Sequence, residues 1–140
     1  MKEQMILKRR IEKGDFNRGG ETSSKLKGLL RKLGVEAIIN RRITIVTYEL
    51  EMNIIIHSNG GEISVLVTPD KVKVMAEDRG PGIEDIERAL QPGYSTADDE
   101  IRNMGFGAGM GLNNIEHYSD DLEIETEMGK GTRITAVVNL

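Results

Sequence analysis

Two pairs of alternating apolar runs organise the chain: Ile63-Val65-Val67 with Val72-Val74-Ala76, and Leu122-Ile124-Thr126 with Ile134-Ala136-Val138. A period of two gives each run one apolar face, as a strand requires. Pro69-Asp70 and Gly129-Lys130-Gly131 separate the members of each pair and predict two hairpins. Residues 5 to 11 alternate more loosely and read as an edge strand, and Gly14 to Gly20 as a loop. Leu26, Leu29, Leu30 and Leu33 then recur at helical spacing, with Thr22-Ser23-Ser24 offering N-caps and Gly34 a stop. Asn40 is the expected cap of a second, longer helix running to about His57 and leaving through Ser58-Asn59-Gly60-Gly61. A short helix is expected from Ile83 to Leu90, ending at Pro92-Gly93. Tyr94 to Met104 is polar and without period, and reads as a mobile loop; a helix through Leu112, Ile115 and Tyr118 follows. Helices in blocks and strands joined by short hairpins predict an α+β fold, a two-layer sandwich with helices on one face of a mixed, mostly antiparallel sheet.

The second helix is unusual in where it puts its polar residues. With Glu49 set at 0° on a wheel of about 100° per residue, Asn53 falls near 40° and His57 near 80°. Val46, Leu50, Ile43 and Ile54 flank this stripe on one side and Ile45, Met52 and Ile56 on the other, while Thr44, Thr47, Tyr48 and Glu51 gather towards the opposite pole. That pole is the expected solvent face. A carboxylate and a carboxamide pointing inward are costly unless they line a cavity or bind something. The alternative is that both sit at a helix edge and hydrogen-bond a neighbouring loop. His57, at the helix end, is expected to cap carbonyls rather than bind a metal.

Composition narrows the function classes. A chain of 140 residues makes one domain, taken as 1–140, and 38% hydrophobic with 30% charged residues reads as a soluble protein. No apolar run has membrane-spanning length, the start Met1-Lys2-Glu3-Gln4 is polar, and the lack of cysteine fits a reducing cytoplasm. A net charge of −4 and 4% aromatic residues argue against a nucleic-acid surface, Lys8-Arg9-Arg10 and Arg41-Arg42 being local basic spots. Two histidines and no cysteine leave a zinc site without ligands.

The remaining signal lies in two glycine clusters. Asp78-Arg79-Gly80-Pro81-Gly82 follows a strand, where it is either a strand-to-helix turn or an acceptor for a base amino group beside backbone that can approach closely. Gly105, Gly107, Gly109 and Gly111 lead into a helix, where spaced glycines either relieve crowding or expose N–H groups to phosphates. Neither cluster is a Walker A loop, and Gly129-Lys130-Gly131-Thr132 lacks the upstream glycine that motif requires. The dinucleotide fingerprint fails as well. Counted from Gly105 or Gly107, its third glycine is Met110 or Leu112.

Taken in order, Glu49-x-x-x-Asn53, Asp78-x-Gly80-x-Gly82, Gly107-Ala108-Gly109-Met110-Gly111-Leu112 and Gly129-Lys130-Gly131-Thr132 resemble the four boxes of the gyrase, Hsp90, histidine kinase and MutL ATPase superfamily, over residues 49 to 132. Within it the chain is similar to the small serine/threonine kinases of bacterial partner switching, the anti-sigma factors and related switch kinases. Gly93-Tyr94-Ser95-Thr96 ahead of the lid supports this, and no helical hairpin with a phosphoacceptor histidine is present. The resemblance implies a Bergerat-type ATP-binding fold with a mobile lid at about 94–108. It implies ATP and Mg²⁺ as cofactors, Asn53 as the metal ligand, Glu49 as general base and Asp78 as reader of the adenine amino group. Gly80 and Gly82 would admit the base, Gly107, Gly109 and Gly111 would cradle phosphates, and Thr132 would support Asp78. Ile83, Ala108, Met110 and Leu112 complete the implied nucleotide-contacting set. The implied protein substrate is a STAS-domain regulator, with a sigma factor or a downstream phosphatase as a second partner and room for a homodimer. The alternatives are sequestration of a sigma factor with ATP as a conformational ligand, and an orphan ATPase module. Ala97 to Met104, carrying Asp98, Asp99, Glu100 and Arg102, makes a longer and more charged lid than the resemblance leads one to expect, and no phosphate contact is assigned there.

Overall fold

The computed structural model describes residues 3–91 and 111–140. Five strands form one sheet: β1 (Gln4–Ile11), β2 (Gly61–Thr68), β3 (Lys71–Asp78), β4 (Asp121–Glu127) and β5 (Gly131–Asn139), in the order β1-β2-β3-β5-β4. Every pairing among them is antiparallel. Among the described residues the helices are α1 (Glu21–Lys32), α2 (Ala37–His57), α3 (Ile86–Ala89) and α4 (Gly111–Tyr118), with a single 3-10 turn at Phe16–Arg18. Both predicted hairpins form, Val74 facing Val65 and Ala136 in neighbouring strands. The loosely alternating first strand lies at the sheet edge, with a register shift between Met5 and Leu7.

One sheet face is apolar. Ile63, Val65, Val72, Val74, Ile134, Ala136 and Val138 are buried there in one cluster with Ile43, Val46, Leu50 and Ile54 of α2, Leu26 and Leu30 of α1, and Ile115 of α4. Side chains of this size each favour the folded state by about 1.5–3 kcal/mol on full burial, so this seam fixes where α2 lies. The other face carries cross-strand ion pairs such as Arg133–Glu77 at 2.7 Å and Lys8–Glu62 at 3.6 Å. At the β4 edge the outward residues Asp121, Glu123, Glu125 and Glu127 are all acidic and exposed, which discourages a second sheet from pairing there.

Three helix boundaries differ from the sequence expectation. Helix α2 starts at Ala37 with Glu36 as its N-cap, so Asn40 lies inside it. Its amide donates instead to the Lys27 carbonyl of α1 at 3.1 Å, a tertiary bond that a local capping rule cannot anticipate. Helix α3 covers only Ile86–Ala89, because Asp85 accepts the Arg88 N–H and sets the start. Helix α1 begins at Glu21, ahead of the expected Thr22-Ser23-Ser24 caps. Gly34 does end it, at φ +80°, with Val35 N–H returning to the Leu30 carbonyl.

The cap of α1 comes from another helix. Glu51 accepts the Gly20 N–H on Oε1 at 3.0 Å and the Thr22 N–H on Oε2 at 3.1 Å. Its carboxylate thereby meets the positive end of the α1 dipole. This corrects the expected solvent face of α2: Glu51 is 1% exposed and Thr47 fully buried, because α1 covers the side assigned to water. Past Arg41, only Tyr48 on this helix is exposed.

Glu51→Gln places an NH₂ group against one of those two donors. The variant is expected to lose about 2 kcal/mol of unfolding free energy, seen as a lower urea midpoint at unchanged slope. An unchanged midpoint would mean that the α1 end does not depend on the carboxylate.

Candidate functional site

Strand β3 ends at Asp78, and the backbone turns sharply there. Asp78 Oδ1 accepts the N–H of Gly80 at 3.0 Å and of Thr132 on β5 at 3.1 Å. Both bonds fall on one oxygen, so Oδ2 has no bond to another described residue. The turn 78–83 then lies on the β4–β5 hairpin. Gly129 N–H donates to the Pro81 carbonyl at 2.9 Å, and Ile83 N–H to the Thr126 hydroxyl at 2.9 Å. Gly82, at φ +92°, runs so near the hairpin that a Cβ there would come 2.9 Å from the Glu127 carbonyl. The glycine is therefore required by the packing of the turn, whether or not a base approaches. Thr132 is buried, and its hydroxyl lies 2.9 Å from that of Thr126.

Helix α2 supplies the other group of residues. Glu49 and Asn53 are both half-buried, one turn apart on the same side. Glu49 Oε1 accepts from Asn114 Nδ2 on α4 at 3.3 Å, and its Oε2 faces Gly111, where a Cβ would stand 3.2 Å away. The carboxylate thus sits at the first turn of α4. The Asn53 side chain has no hydrogen bond to another described residue. His57 ends the helix, where the Ile54 carbonyl is taken by Ser58 through both its N–H and its hydroxyl.

The electrostatics separate these groups from the structural acids. Burial pushes the Glu49 carboxyl above its ordinary pKa, with the Asn114 bond pulling the other way. Burial likewise raises Asp78 against its bonds from Gly80 and Thr132. Burial lowers the His57 imidazole, favouring the neutral ring. By contrast, Asp120 lies below its ordinary value, held by the Asn139 N–H at 2.7 Å and by Arg42 at 3.2 Å. Arg42 also bonds the Tyr118 carbonyl, so this pair fastens the end of α4 to α2 and the sheet. Desolvated carboxylates without a cationic partner are characteristic of sites poised for ligand or proton transfer.

The family model described as histidine kinase-, DNA gyrase B-, and HSP90-like ATPase matches residues 39–140. The chain belongs to this ATPase family. Among relatives, it is 30% identical over 115 residues to the serine/threonine-protein kinase RsbT of Bacillus subtilis, covering 79% of this chain and 80% of that one. It is 36% identical over 91 residues to the anti-sigma F factor of Thermoanaerobacter sp., covering 61% of this chain and 60% of the relative. A chain from the crystal structure of the SiaB–SiaC complex of Pseudomonas aeruginosa shares the fold at a TM-score of 0.66 and 15% identity, with 96% of this chain and 89% of that chain aligned.

For this ATPase-family chain, the structure divides the sequence-derived residues into two groups. Asp78, Gly80, Gly82, Ile83 and Thr132 share the sheet-side wall, joined by the bonds given above. Glu49, Asn53, Gly111 and Leu112 belong to the helix layer, Gly111 and Leu112 opening α4. Gly107, Ala108, Gly109 and Met110, like the lid 94–108, lie outside the described residues. Two residues escaped the sequence reading. Thr126 looked like any inward residue of an alternating strand, and Asn114 carried no signal beyond its place four residues before Tyr118 on a short helix.

The donor set fits the groups that ATPase-family membership implies. Asn53 offers a neutral amide oxygen, a hard ligand of the kind Mg²⁺ takes alongside phosphates and water. No cluster of three acidic, histidine or cysteine ligands occurs among the described residues. Asp78 offers an acceptor on Oδ2 to a group bearing N–H.

Because Asp78 is raised in the folded chain, its neutral form is the one that folding favours. That contribution is full below the ordinary aspartate pKa and is lost as pH rises through the folded value. Asp78→Asn keeps the acceptor for Gly80 and Thr132 and removes the desolvated charge. The ligand-free variant is expected to melt above the wild type at about pH 7, the gap narrowing towards about pH 4. Melting curves at both pH values check the sign, and a gap that widens on acidification would contradict it.

Proposed function

We propose that this chain is an ATP-dependent serine/threonine protein kinase of the anti-sigma and switch-kinase type, and that it phosphorylates a STAS-type regulator in partner switching. The observation that carries this reading is Glu49: a half-buried carboxylate held by Asn114 at the first turn of α4, one helical turn from Asn53. A binding module alone has no need of a carboxylate that no described cation compensates, whereas a kinase needs a base beside the phosphates. Similarity to a serine/threonine kinase over 79% of the chain supports the same reading.

Each residue then has a role that its surroundings suit. Glu49, raised by burial, accepts the proton of the attacking hydroxyl, and Asn114 keeps one of its oxygens oriented. Asn53 holds Mg²⁺, which when bound neutralises phosphate charge. Asp78 accepts the adenine amino group on Oδ2 while Oδ1 stays tied to Gly80 and Thr132. The first N–H groups of α4 would be available to the phosphates, where the helix dipole favours negative charge. A second reading, capture of a sigma factor with ATP as conformational ligand, draws on the similarity to an anti-sigma F factor. A cytoplasmic location is proposed for either reading; among the described residues no helix is long and apolar enough to cross a membrane.

Glu49→Gln is expected to lower phosphate transfer to a STAS-domain substrate by at least about 100-fold while ATP binding stays within about threefold of wild type. Asp78→Asn is expected to lose ATP binding itself. Labelled ATP with purified wild-type protein, Mg²⁺ and candidate STAS partners is the direct assay. Stable binding of a sigma factor without any labelling of those partners would favour the second reading over the first.

A further inference from the structure

Thr126 is the most connected hydroxyl in the sheet-side wall. It accepts the Ile83 N–H at 2.9 Å, lies 3.3 Å from the Gly131 carbonyl as a donor, and stands 2.9 Å from the Thr132 hydroxyl. A threonine hydroxyl has one hydrogen and two lone pairs. One lone pair is committed to Ile83. If the hydrogen goes to Gly131, Thr132 must donate to Thr126; if it goes to Thr132, the Thr132 hydrogen is released for another acceptor. The state of Thr126 therefore sets whether Thr132 presents a donor or an acceptor.

The same atom fixes distances. Among the described residues, two hydrogen bonds hold the turn after Asp78 to the hairpin: Gly129 to Pro81, and Ile83 to Thr126. Only the second uses a side chain, so only the second can be removed by substitution without altering the backbone. The Asp78 carboxylate is itself tied to the N–H of Thr132, next to the residue whose carbonyl Thr126 reaches. Thr126 thus links Ile83 on one side of the turn with Gly131 and Thr132, which hold Asp78 on the other.

We infer that Thr126 is a positioning residue for the base of the bound nucleotide, acting through Ile83, Gly131 and Thr132 to set the preference of the site for adenine over guanine. The inference rests on the proposed reading of Asp78 as acceptor for the adenine amino group. Guanine presents a carbonyl oxygen at the corresponding position, which a carboxylate repels. A hydrogen bond to a charged group weakens steeply as its distance and angle drift. Loosening the wall therefore costs adenine the bond that distinguishes it, and costs guanine little.

The test compares full-length wild type, Thr126→Val and Thr126→Ser for binding of ATP and GTP by calorimetry with Mg²⁺ present. Valine keeps the shape and leaves the Ile83 N–H unpaired, while serine keeps the hydroxyl. The expected result is about a tenfold loss of ATP affinity in Thr126→Val with GTP affinity within about twofold, so that the ATP-to-GTP ratio collapses, and recovery of the ratio in Thr126→Ser. A purely structural role would weaken both nucleotides alike and leave the ratio intact, which would overturn the inference. If Thr126→Val fails to fold, Thr126→Ser and Thr126→Cys carry the comparison, a wild-type ratio in the cysteine variant counting against the role. A wild type that binds ATP and GTP equally would instead overturn the reading of Asp78, and this inference with it.

Discussion

The apolar seam between α2 and the sheet, where Ile43, Val46, Leu50 and Ile54 meet the inward residues of β2, β3 and β5, sets the position of every group in the site. Glu49 and Asn53 are carried on the helix side of that seam, and Asp78 stands at the end of a strand on the other. Their separation is therefore a packing distance. A helix of 21 residues buried this fully cannot slide by a residue without turning Leu50 or Val46 towards polar surroundings, so its register is fixed by its hydrophobic contacts.

That fixity is reinforced by polar bonds at each flank of α2. Glu51 on one side caps α1 through Gly20 and Thr22, and Arg42 on the other reaches Tyr118 and Asp120 at the far end of α4. Glu49, two residues from Glu51, has a different situation: its one side-chain donor among the described residues is Asn114, and its pKa is raised by burial. Two glutamates on one helix thus divide into a satisfied structural acid and a strained one. Burial of the second lowers the stability of the ligand-free protein at neutral pH, a familiar trade between stability and activity.

Strands and hairpins were legible in the sequence because each uses one apolar face, so that Val72-Val74-Ala76 or Ile134-Ala136-Val138 shows its period directly. Helix α2 was legible in existence and in its end at His57, and less so in its start and its surroundings. A wheel ranks its residues along one inward direction, whereas this helix is covered by the sheet, by α1 and by α4; Thr47 and Glu51 were consequently placed in water when they lie under α1. Asn40 and the capping of α1 were misread for a related reason, their partners Lys27 and Glu51 being distant in sequence. The motif residues stood out by type and spacing. Thr126 and Asn114 did not, since an alternating strand gives a threonine no distinction and their partners lie 43 and 65 residues away.

The two walls of the site belong to different layers of the fold. On the reading proposed for Asp78 and Asn53, a bound nucleotide would span the seam as a non-covalent strut, with one foot on the sheet and the other on the helix layer. Separating the layers during unfolding would then require its release. Occupancy becomes a component of global stability, growing with the logarithm of ligand concentration over its dissociation constant. On this view the nucleotide pool of the cell governs how long the folded chain persists as well as what it can do.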